Sequence, residues 1–320
     1  MNNEIRTLLS STFGRLLLEQ HTPSYARKTL PADAPSQRAL WGELSKGGWL
    51  DACSQEFQQE YGDGILLMGE YAGRSLLTLP YGPSTFLANA LVEKYPLLEE
   101  QEIVLDLGQH PASIRTDLHD DQAAWIDAYG PDAQYLRLSR KQNDWILARY
   151  TNQQLEPVPG LDPSIQLARL NGAPLCHTSL SPEHVLPILQ NYLAFLLAQL
   201  QGSAAASLDM AIAYAKEREQ FGKPIGQFQA IKHPLVNAWI ALDNGRYAIE
   251  ALLRAGNTVE PRLANQATRL VTAAAREAVK LSVQVHGGIG FSWEHDCHLY
   301  LKRVYRLAVE ADRLAPLLYD

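Results

Sequence analysis

The segment from Ser181 to the C-terminus constrains the fold most, because apolar residues recur there at helical spacing in four successive stretches. The first stretch opens with Ser-Pro-Glu, which provides a capping hydroxyl, a first-turn proline and an acid near the positive end of the helix dipole, and it runs to about Gln220. Apolar stripes then follow over 228–253, 263–281 and 299–314. Long amphipathic helices joined by short loops bury such stripes most economically in a four-helix bundle.

Before this segment, the chain has two regions with different residue patterns. Residues 1–98 show helical spacing, broken by the Gly47-Gly48 pair and by Pro80 and Pro83, which do not fit inside one helix. Residues 99–178 contain short runs typical of β-strands: QEIVLDLG, AAWIDAYG, QYLRLSR, DWILARY and IQLARLNG. We therefore predict a mainly α protein with a small β domain. It comprises an N-terminal helical domain over 1–98, a reduced β domain over 99–178 and a C-terminal four-helix bundle over 179–320.

Composition narrows the function classes. The formal net charge of −7 argues against a general nucleic-acid-binding protein. Three widely spaced cysteines imply no disulfide framework and fit a reducing compartment. The N-terminus lacks the pattern of a secretory signal, and the most apolar stretch, from Tyr192, is too short to span a bilayer. These features predict a cytoplasmic location.

The stretch AYAKEREQFGKPIGQFQAIKH, residues 213–233, predicts two helices joined by a Gly-Pro turn. Around this turn lie one arginine, Arg218, and two glutamines, Gln220 and Gln229. Guanidinium and amide groups suit a pyrophosphate or another anion. Alternatively, Arg218 pairs with the glutamate on either side of it, on a solvated face.

The stretch SVQVHGGIGFSWEH, residues 282–295, places three glycines among four residues directly after a predicted helix. Such a run marks a tight turn, or a backbone that closely approaches a nucleotide phosphate or another subunit. It is not a Gly-x-Gly-x-x-Gly motif after a strand, which argues against a Rossmann site. The residues from Glu294 to His298 include several metal-capable groups, but the sequence offers no matching pair elsewhere, which favours helix capping or interface contacts.

Together, YAKEREQFGKPIGQFQAIKH and QVHGGIGFSWEHDCHLYLKR closely resemble the two C-terminal signatures of the acyl-CoA dehydrogenase family. The N-terminal LWGELSKGGWLDA stretch and the order of helical, β and bundle segments agree with this resemblance. It implies an acyl-CoA dehydrogenase-like fold and an FAD held across a subunit interface. The first signature would contact the FAD through Arg218, Gln220, Phe221 and Gln229. The second would approach the FAD of a neighbouring subunit through Gln284, Gly287, Gly288 and Gly290.

The resemblance also implies a reaction. A glutamate base removes the α-proton of an acyl-CoA, hydride passes from Cβ to the flavin, and electron-transfer flavoprotein is the expected acceptor. In most members the base lies in a Tyr-Glu-Gly-Thr-like turn; counting without gaps brings that position to Ala311, beside Glu310, and no Gly-Thr follows. Glu310 is therefore the candidate catalytic base, or a solvated acid paired with Arg306 or Arg313. The family's alternative position, in LQNYLAF at 189–195, offers no carboxylate.

A second departure concerns the β region. Between Gln101 and Asn171 the chain lacks the Thr-Glu-Pro and Gly-Ser-Asp loop that covers the flavin in the family. Both departures resemble short subunits that pair with a fuller acyl-CoA dehydrogenase subunit in a heterotetramer, a type associated with steroid or bile-acid side-chain breakdown. We therefore predict such a subunit, with the base on its partner. The alternatives are a self-sufficient homomeric dehydrogenase that uses Glu310, and a structural CoA- or FAD-binding descendant without activity.

Overall fold

A computed structural model describes residues 3–28, 34–54, 56–57, 61, 64–95, 107–117, 125–130, 133–256 and 258–318. The N-terminal part is helical. Its α-helices are α1 (Asn3–Leu9), α2 (Pro23–Lys28), α3 (Ala34–Lys46), α4 (Gly64–Arg74) and α5 (Ala90–Lys94). π-helical segments extend α1 over Ser10–Gly14 and Leu16–Gln20 and precede α5 over Pro83–Asn89. The predicted boundary at residue 98 lies outside the described residues.

Two small sheets follow. The first has the strand order β1-β3-β4-β7 and the second β2-β6-β5; β1 and β3 are parallel and the other neighbours are antiparallel. The strands are β1 (Ala112–Asp117), β2 (Trp125–Ala128), β3 (Gln134–Lys141), β4 (Asp144–Tyr150), β5 (Leu155–Val158), β6 (Gln166–Leu170) and β7 (Cys176–Leu180). Four predicted runs are confirmed as β2, β3, β4 and β6, whereas QEIVLDLG lies largely outside the described residues. The runs did not include β1, β5 or β7. Buried positions of β1 and β7 hold polar residues, Ser113, Thr116 and Thr178, and β5 is largely exposed and contains a proline.

The predicted four-helix bundle is confirmed. It consists of α6 (Pro182–Glu217), α7 (Gln229–Arg254), α8 (Pro261–His286) and α9 (Cys297–Leu314). A short hairpin of β8 (Glu219–Gln220) and β9 (Lys223–Pro224) joins α6 to α7. Among the described residues, no helix combines the length and apolar character needed to cross a membrane.

Two details at the ends of α6 correct the sequence prediction. The helix ends at Glu217, before the predicted Gln220, because Arg218 takes an extended conformation at the start of the hairpin. The Ser181 side chain makes no capping hydrogen bond. The Ser181 backbone N–H instead donates to the Tyr95 hydroxyl at 3.0 Å, which ties the start of α6 to the end of α5.

A buried arginine joins the three parts of the fold. The fully buried Arg303 of α9 donates to the Asp162 carboxylate of the loop between β5 and β6 at 2.7 Å. It also donates to the backbone carbonyl of Leu77, after α4, at 2.7 Å, and to the Ser164 hydroxyl. Although burial alone would raise the pKa of Asp162, Arg303 and Arg306 lower it to about 2. This network fixes one face of α9 against the β region.

Candidate functional site

A largely apolar cavity of about 500 Å³ lies between α9 and the two sheets. Apolar side chains from both sheets, the loop before β6 and α9 form most of its wall: Ile114, Ile126, Leu161, Ile165, Leu167 and Val309. Six charged side chains also line it: Arg115, Asp127, Asp162, Arg306, Glu310 and Arg313. An apolar cavity with a few convergent polar groups is the usual form of a small-molecule site.

Glu310, the candidate base, lies in this cavity. Its side chain is 19% exposed, and its Oε1 accepts a hydrogen bond from the Tyr192 hydroxyl at 2.6 Å. Its Oε2 lies 3.8 Å from Arg306. Glu310 therefore pairs with Arg306, as one interpretation of the sequence expects, but it is not a solvated acid. Burial raises the pKa of Glu310, and the Arg306 charge opposes that shift.

The Tyr192–Glu310 contact joins the two segments in which the resemblance predicts a base, the LQNYLAF segment and the turn of α9 that contains Ala311. The LQNYLAF segment offers no carboxylate, but it supplies the phenol that contacts the carboxylate of Glu310. Sequence reasoning missed this contact because the two residues are far apart in the chain and Tyr192 lies in an apolar run. The signal in the sequence was that Tyr192 lies in one segment where the resemblance predicts a base and Glu310 lies beside the other, at Ala311.

Arg306 carries the positive charge of this cluster. Its guanidinium lies 2.7 Å from Asp127, 3.5 Å from Asp162 and 3.8 Å from Glu310. Burial alone would lower the pKa of Arg306, but these acids, Asp127 first, raise it above its ordinary value. The permanent charge makes an ionised Glu310 tolerable inside an apolar wall. A carboxylate in such a place can act as a general base.

The residues of the first signature are placed on the exposed hairpin after α6. Phe221 is 93% exposed and sits with Gly222 at the hairpin tip, both with positive φ. Arg218, Gln220 and Gln229 are also exposed. None of the ion pairs among the described residues involves Arg218, so it does not pair with the glutamate on either side. Its guanidinium is available for an anionic ligand.

The three glycines of the second signature differ in what requires them. Gly287 ends α8 with φ +63°, a conformation that disfavours other residues. A Cβ on the buried Gly290 would lie 3.0 Å from the Val283 carbonyl, so the loop's own packing requires a glycine there. Gly288 is exposed and has open space around its missing Cβ. It therefore leaves a backbone position that a phosphate or ribose could approach, and the exposed Gln284 lies one helical turn before it.

An aromatic stack holds the two signatures at the same end of the bundle. The Tyr214 ring, one turn before Arg218, lies 4.7 Å from His286, which directly precedes the glycine loop. The His286 ring lies 4.4 Å from His295, and the His295 Nδ1 accepts the backbone N–H of Cys297 at the start of α9. Within the part of the chain that the structure describes, no group of three His, Cys, Asp or Glu side chains is arranged to hold a metal ion.

Comparisons with known proteins agree with this architecture. Residues 191–309 match the acyl-CoA dehydrogenase C-terminal domain. The acyl-CoA dehydrogenase IpdE2 of Mycobacterium tuberculosis is 29% identical over 317 residues, which cover 94% of this chain and 91% of IpdE2.

Two solved structures share the whole fold. A variant of the Tcur3481-Tcur3483 steroid ACAD has a TM-score of 0.77 at 19% identity. The aligned region covers 98% of this chain and 97% of that chain. The ChsE4-ChsE5 complex from Mycobacterium tuberculosis has a TM-score of 0.75 at 18% identity, with coverage of 99% and 96%. At these identities the similarity shows the fold. Residues 191–309 are therefore an acyl-CoA dehydrogenase C-terminal domain, on a chain that has the fold of the acyl-CoA dehydrogenase family.

Proposed function

We propose that this chain is a subunit of an FAD-dependent acyl-CoA dehydrogenase that desaturates the α,β bond of an acyl-CoA thioester. The observation that carries this proposal is the position of the two signatures, which the Tyr214–His286 contact holds at one exposed end of the bundle. Arg218 is unpaired there among the described residues, and Gly288 is open. Groups that face outward in this way can hold a cofactor between subunits.

The residues present fit FAD. Arg218 and the amides of Gln220 and Gln229 would bind its pyrophosphate and adenosine portion, with Phe221 packing beside them. Gln284 and the backbone at Gly287, Gly288 and Gly290 would approach the cofactor of a neighbouring subunit. When bound, FAD supplies the hydride acceptor for the reaction. The remaining chemistry is the removal of a proton, which requires a carboxylate in a dry cavity.

The partner is proposed to be a fuller acyl-CoA dehydrogenase subunit in a heterotetramer. One of the similar structures is a steroid ACAD and another is the ChsE4-ChsE5 complex, which supports a steroid-type acyl group and a heteromeric assembly for this chain. Electron-transfer flavoprotein is the proposed acceptor, and the cytoplasm is the proposed location. In this assembly the partner supplies the base.

Glu310 favours a second candidate, a self-sufficient homomeric dehydrogenase. Its carboxylate lines the cavity, and the Tyr192 hydroxyl fixes Oε1. Among the described residues, Oε2 has one ion-pair contact, with Arg306 at 3.8 Å, and could receive the α-proton. In this case the chain contains both a base and the cofactor-binding groups.

Purification of the chain alone, and together with a co-expressed fuller subunit, separates the candidates. We expect a flavin absorption spectrum and acyl-CoA oxidation from the complex but not from the chain alone. Activity of the chain alone would establish the homomeric candidate. A complex that forms but neither retains FAD nor oxidises any acyl-CoA would overturn both.

The variant Glu310→Gln then tests the base in whichever preparation is active. The glutamine amide cannot accept the α-proton. If Glu310 is the base, kcat should therefore fall by at least about 100-fold, the usual contribution of a general base. Glu277→Gln is the matched control, because the Glu277 side chain is 72% exposed and pairs with Lys280. An unchanged kcat in the Glu310 variant would remove Glu310 as base and leave the partner's base as the explanation.

A further inference from the structure

One end of the cavity concentrates positive charge around a single carboxylate. Asp117 of β1 lies 2.7 Å from Arg115 and 4.0 Å from Arg313 through its Oδ1, and 3.1 Å from Arg137 through its Oδ2. Arg115 and Arg313 line the cavity, whereas Asp117 does not. The wall therefore presents two guanidiniums from β1 and α9, and their shared counter-charge lies behind them.

Arg313 is less tightly paired with Asp117 than Arg115 is. Its ion pair with Asp117 is at the long end of the range, and that oxygen already holds Arg115 at the shorter distance. Among the described residues, its buried Nε has no hydrogen-bond partner. Its side chain is only 26% exposed, so water does not fully compensate the guanidinium.

The other acids of the cavity are engaged elsewhere. Arg306 lies between Asp127 and Glu310, and Asp162 is held by Arg303. Among the ion pairs of the described residues, Arg115 and Arg313 contact no acid other than Asp117. A ligand anion at this end would therefore meet guanidiniums without displacing any of the ion pairs around Glu310.

We propose that Arg313, supported by Arg115, binds a carboxylate carried by the acyl group of the substrate, at a position remote from the thioester. The inference rests on the proposed function, with the reacting end of the acyl group at Glu310, and names its substrate class: acyl-CoA thioesters with a second, free carboxylate. Arg313 follows Glu310 by three residues on α9, about 4.5 Å along the helix axis, so both face the same cavity. The carbon skeleton between the two ends would contact the apolar wall.

Arginine suits this role because its planar fork donates two parallel hydrogen bonds to one carboxylate. An uncharged acyl group would leave Arg313 desolvated and partly uncompensated, which penalises its binding. The site would therefore discriminate between two acyl groups of the same length by the presence of the terminal carboxylate. Such discrimination is stronger than the discrimination of an apolar pocket between acyl groups that differ by one methylene.

Two matched substrates test the proposal with the FAD-loaded complex: adipyl-CoA and hexanoyl-CoA, which have equally long acyl chains and differ in the free carboxylate. We expect the complex to favour adipyl-CoA in kcat/KM, and Arg313→Gln to reduce this preference by about tenfold or more, the effect of losing a charge-assisted hydrogen bond. Arg313→Lys should retain part of the preference, because it keeps the charge but loses the fork. Arg254→Gln is the matched control, since Arg254 is 66% exposed on the bundle and pairs with Glu250.

Equilibrium binding provides a readout that does not depend on turnover. The α,β-unsaturated products, trans-2-hexenedioyl-CoA and trans-2-hexenoyl-CoA, can be titrated into the complex by calorimetry, and the Gln variant should lose the preference for the carboxylate-bearing product. Equal affinity of the wild-type complex for the two products would overturn the carboxylate site, whether or not the complex is active. Oxidation of hexanoyl-CoA in preference to adipyl-CoA would overturn it too and leave the proposed function intact. If neither thioester is oxidised although the binding preference is present, the carboxylate site stands, and the proposed function is decided separately by FAD retention and by the oxidation of other acyl-CoA thioesters.

Discussion

At the scale of single residues, Glu310 is defined by what surrounds its carboxylate. Burial raises its pKa, whereas Arg306 and the Tyr192 hydroxyl both favour the ionised form. The balance gives a carboxylate that is more basic than one in water but remains available as an acceptor. The Tyr192 contact is the easiest of these interactions to test by mutation. Phenylalanine can fill the same buried space as the tyrosine ring and lacks only the hydroxyl.

If Glu310 is the base, Tyr192→Phe moves the acid limb of the pH profile to higher pH. The hydroxyl at 2.6 Å stabilises the charged form of Glu310, so its loss raises the pKa of the base. A hydrogen bond to a charged group contributes about 1.5–3 kcal/mol, so the expected shift in the acid limb of kcat/KM is about one to two units. The measurement is the pH dependence of kcat/KM in the FAD-loaded complex.

Tyr247→Phe serves as the control, because this tyrosine is 60% exposed on α7. If both variants keep the wild-type acid limb, the titrating base is not Glu310. The base would then have to come from the partner subunit.

At the scale of elements, the loop between α8 and α9 separates glycines required by its own geometry from one that serves another purpose. Gly290 packs against the Val283 carbonyl, and Gly288 faces open space. We expect Gly290→Ala to destabilise the fold by about 1–3 kcal/mol through overpacking. Gly288→Ala should leave stability nearly unchanged but weaken FAD retention by the complex, by about tenfold for a lost contact of 1.4 kcal/mol.

Urea unfolding and flavin release by ultrafiltration measure the two effects side by side. Each variant controls for the other, because both add the same methyl group to the same loop. Wild-type FAD retention in Gly288→Ala would show that the open position does not face the cofactor.

Sequence patterns predicted elements well where the buried face of an element is apolar. The four bundle helices follow from apolar stripes, and β3 and β4 from short alternating runs. The runs missed β1 and β7, whose buried positions include Ser113, Thr116 and Thr178, and they missed β5, which is largely exposed and carries Pro157. The predicted side-chain cap at Ser181 is absent, and the start of the helix is held through the Tyr95 hydroxyl, a contact between distant segments that no local pattern contains.

Only those residues of the candidate site that belong to a sequence motif were predictable. The two signatures identified the residues now placed at one end of the bundle, from Arg218 to Gly290, and their roles toward FAD stay predictions. The Tyr192–Glu310 contact, the Asp127–Arg306 pair and the Asp117 cluster depend on residues that meet across the fold. Charged residues in isolation resemble solvated surface, so the sequence did not distinguish these from ordinary ion pairs.

At the scale of the whole molecule, the Arg303–Asp162 pair links the helical N-terminal part, the β region and the bundle. Asp162→Asn would leave the fully buried guanidinium without its counter-charge. Breaking a buried pair by removing one partner costs about 3–5 kcal/mol. We therefore expect a loss of this size in the free energy of unfolding at neutral pH, measured in urea.

The pH dependence of that loss has a defined sign. The folded pKa of Asp162 is about 2, below its ordinary 3.8, so its ionised form contributes stability that is fully present above about pH 4. The contribution is lost as the pH falls through the folded pKa. The difference in the free energy of unfolding between wild type and Asp162→Asn should therefore decrease below pH 4. A difference that stays constant down to pH 2 would contradict the pairing of an ionised Asp162 with Arg303. Asp209→Asn, at a 56% exposed position paired with Arg74, is the control.

The same arginine restricts how this protein can be divided or recombined. Arg303 donates to the backbone at Leu77, so its partners include a part of the chain that no side-chain substitution can replace. A gene fragment that encodes the bundle alone would uncover this face of α9 and leave Arg303 without the carbonyl and carboxylate that it binds. The bundle is therefore not a portable module, and exchange with a related dehydrogenase would require the two upstream segments to be transferred together with α9.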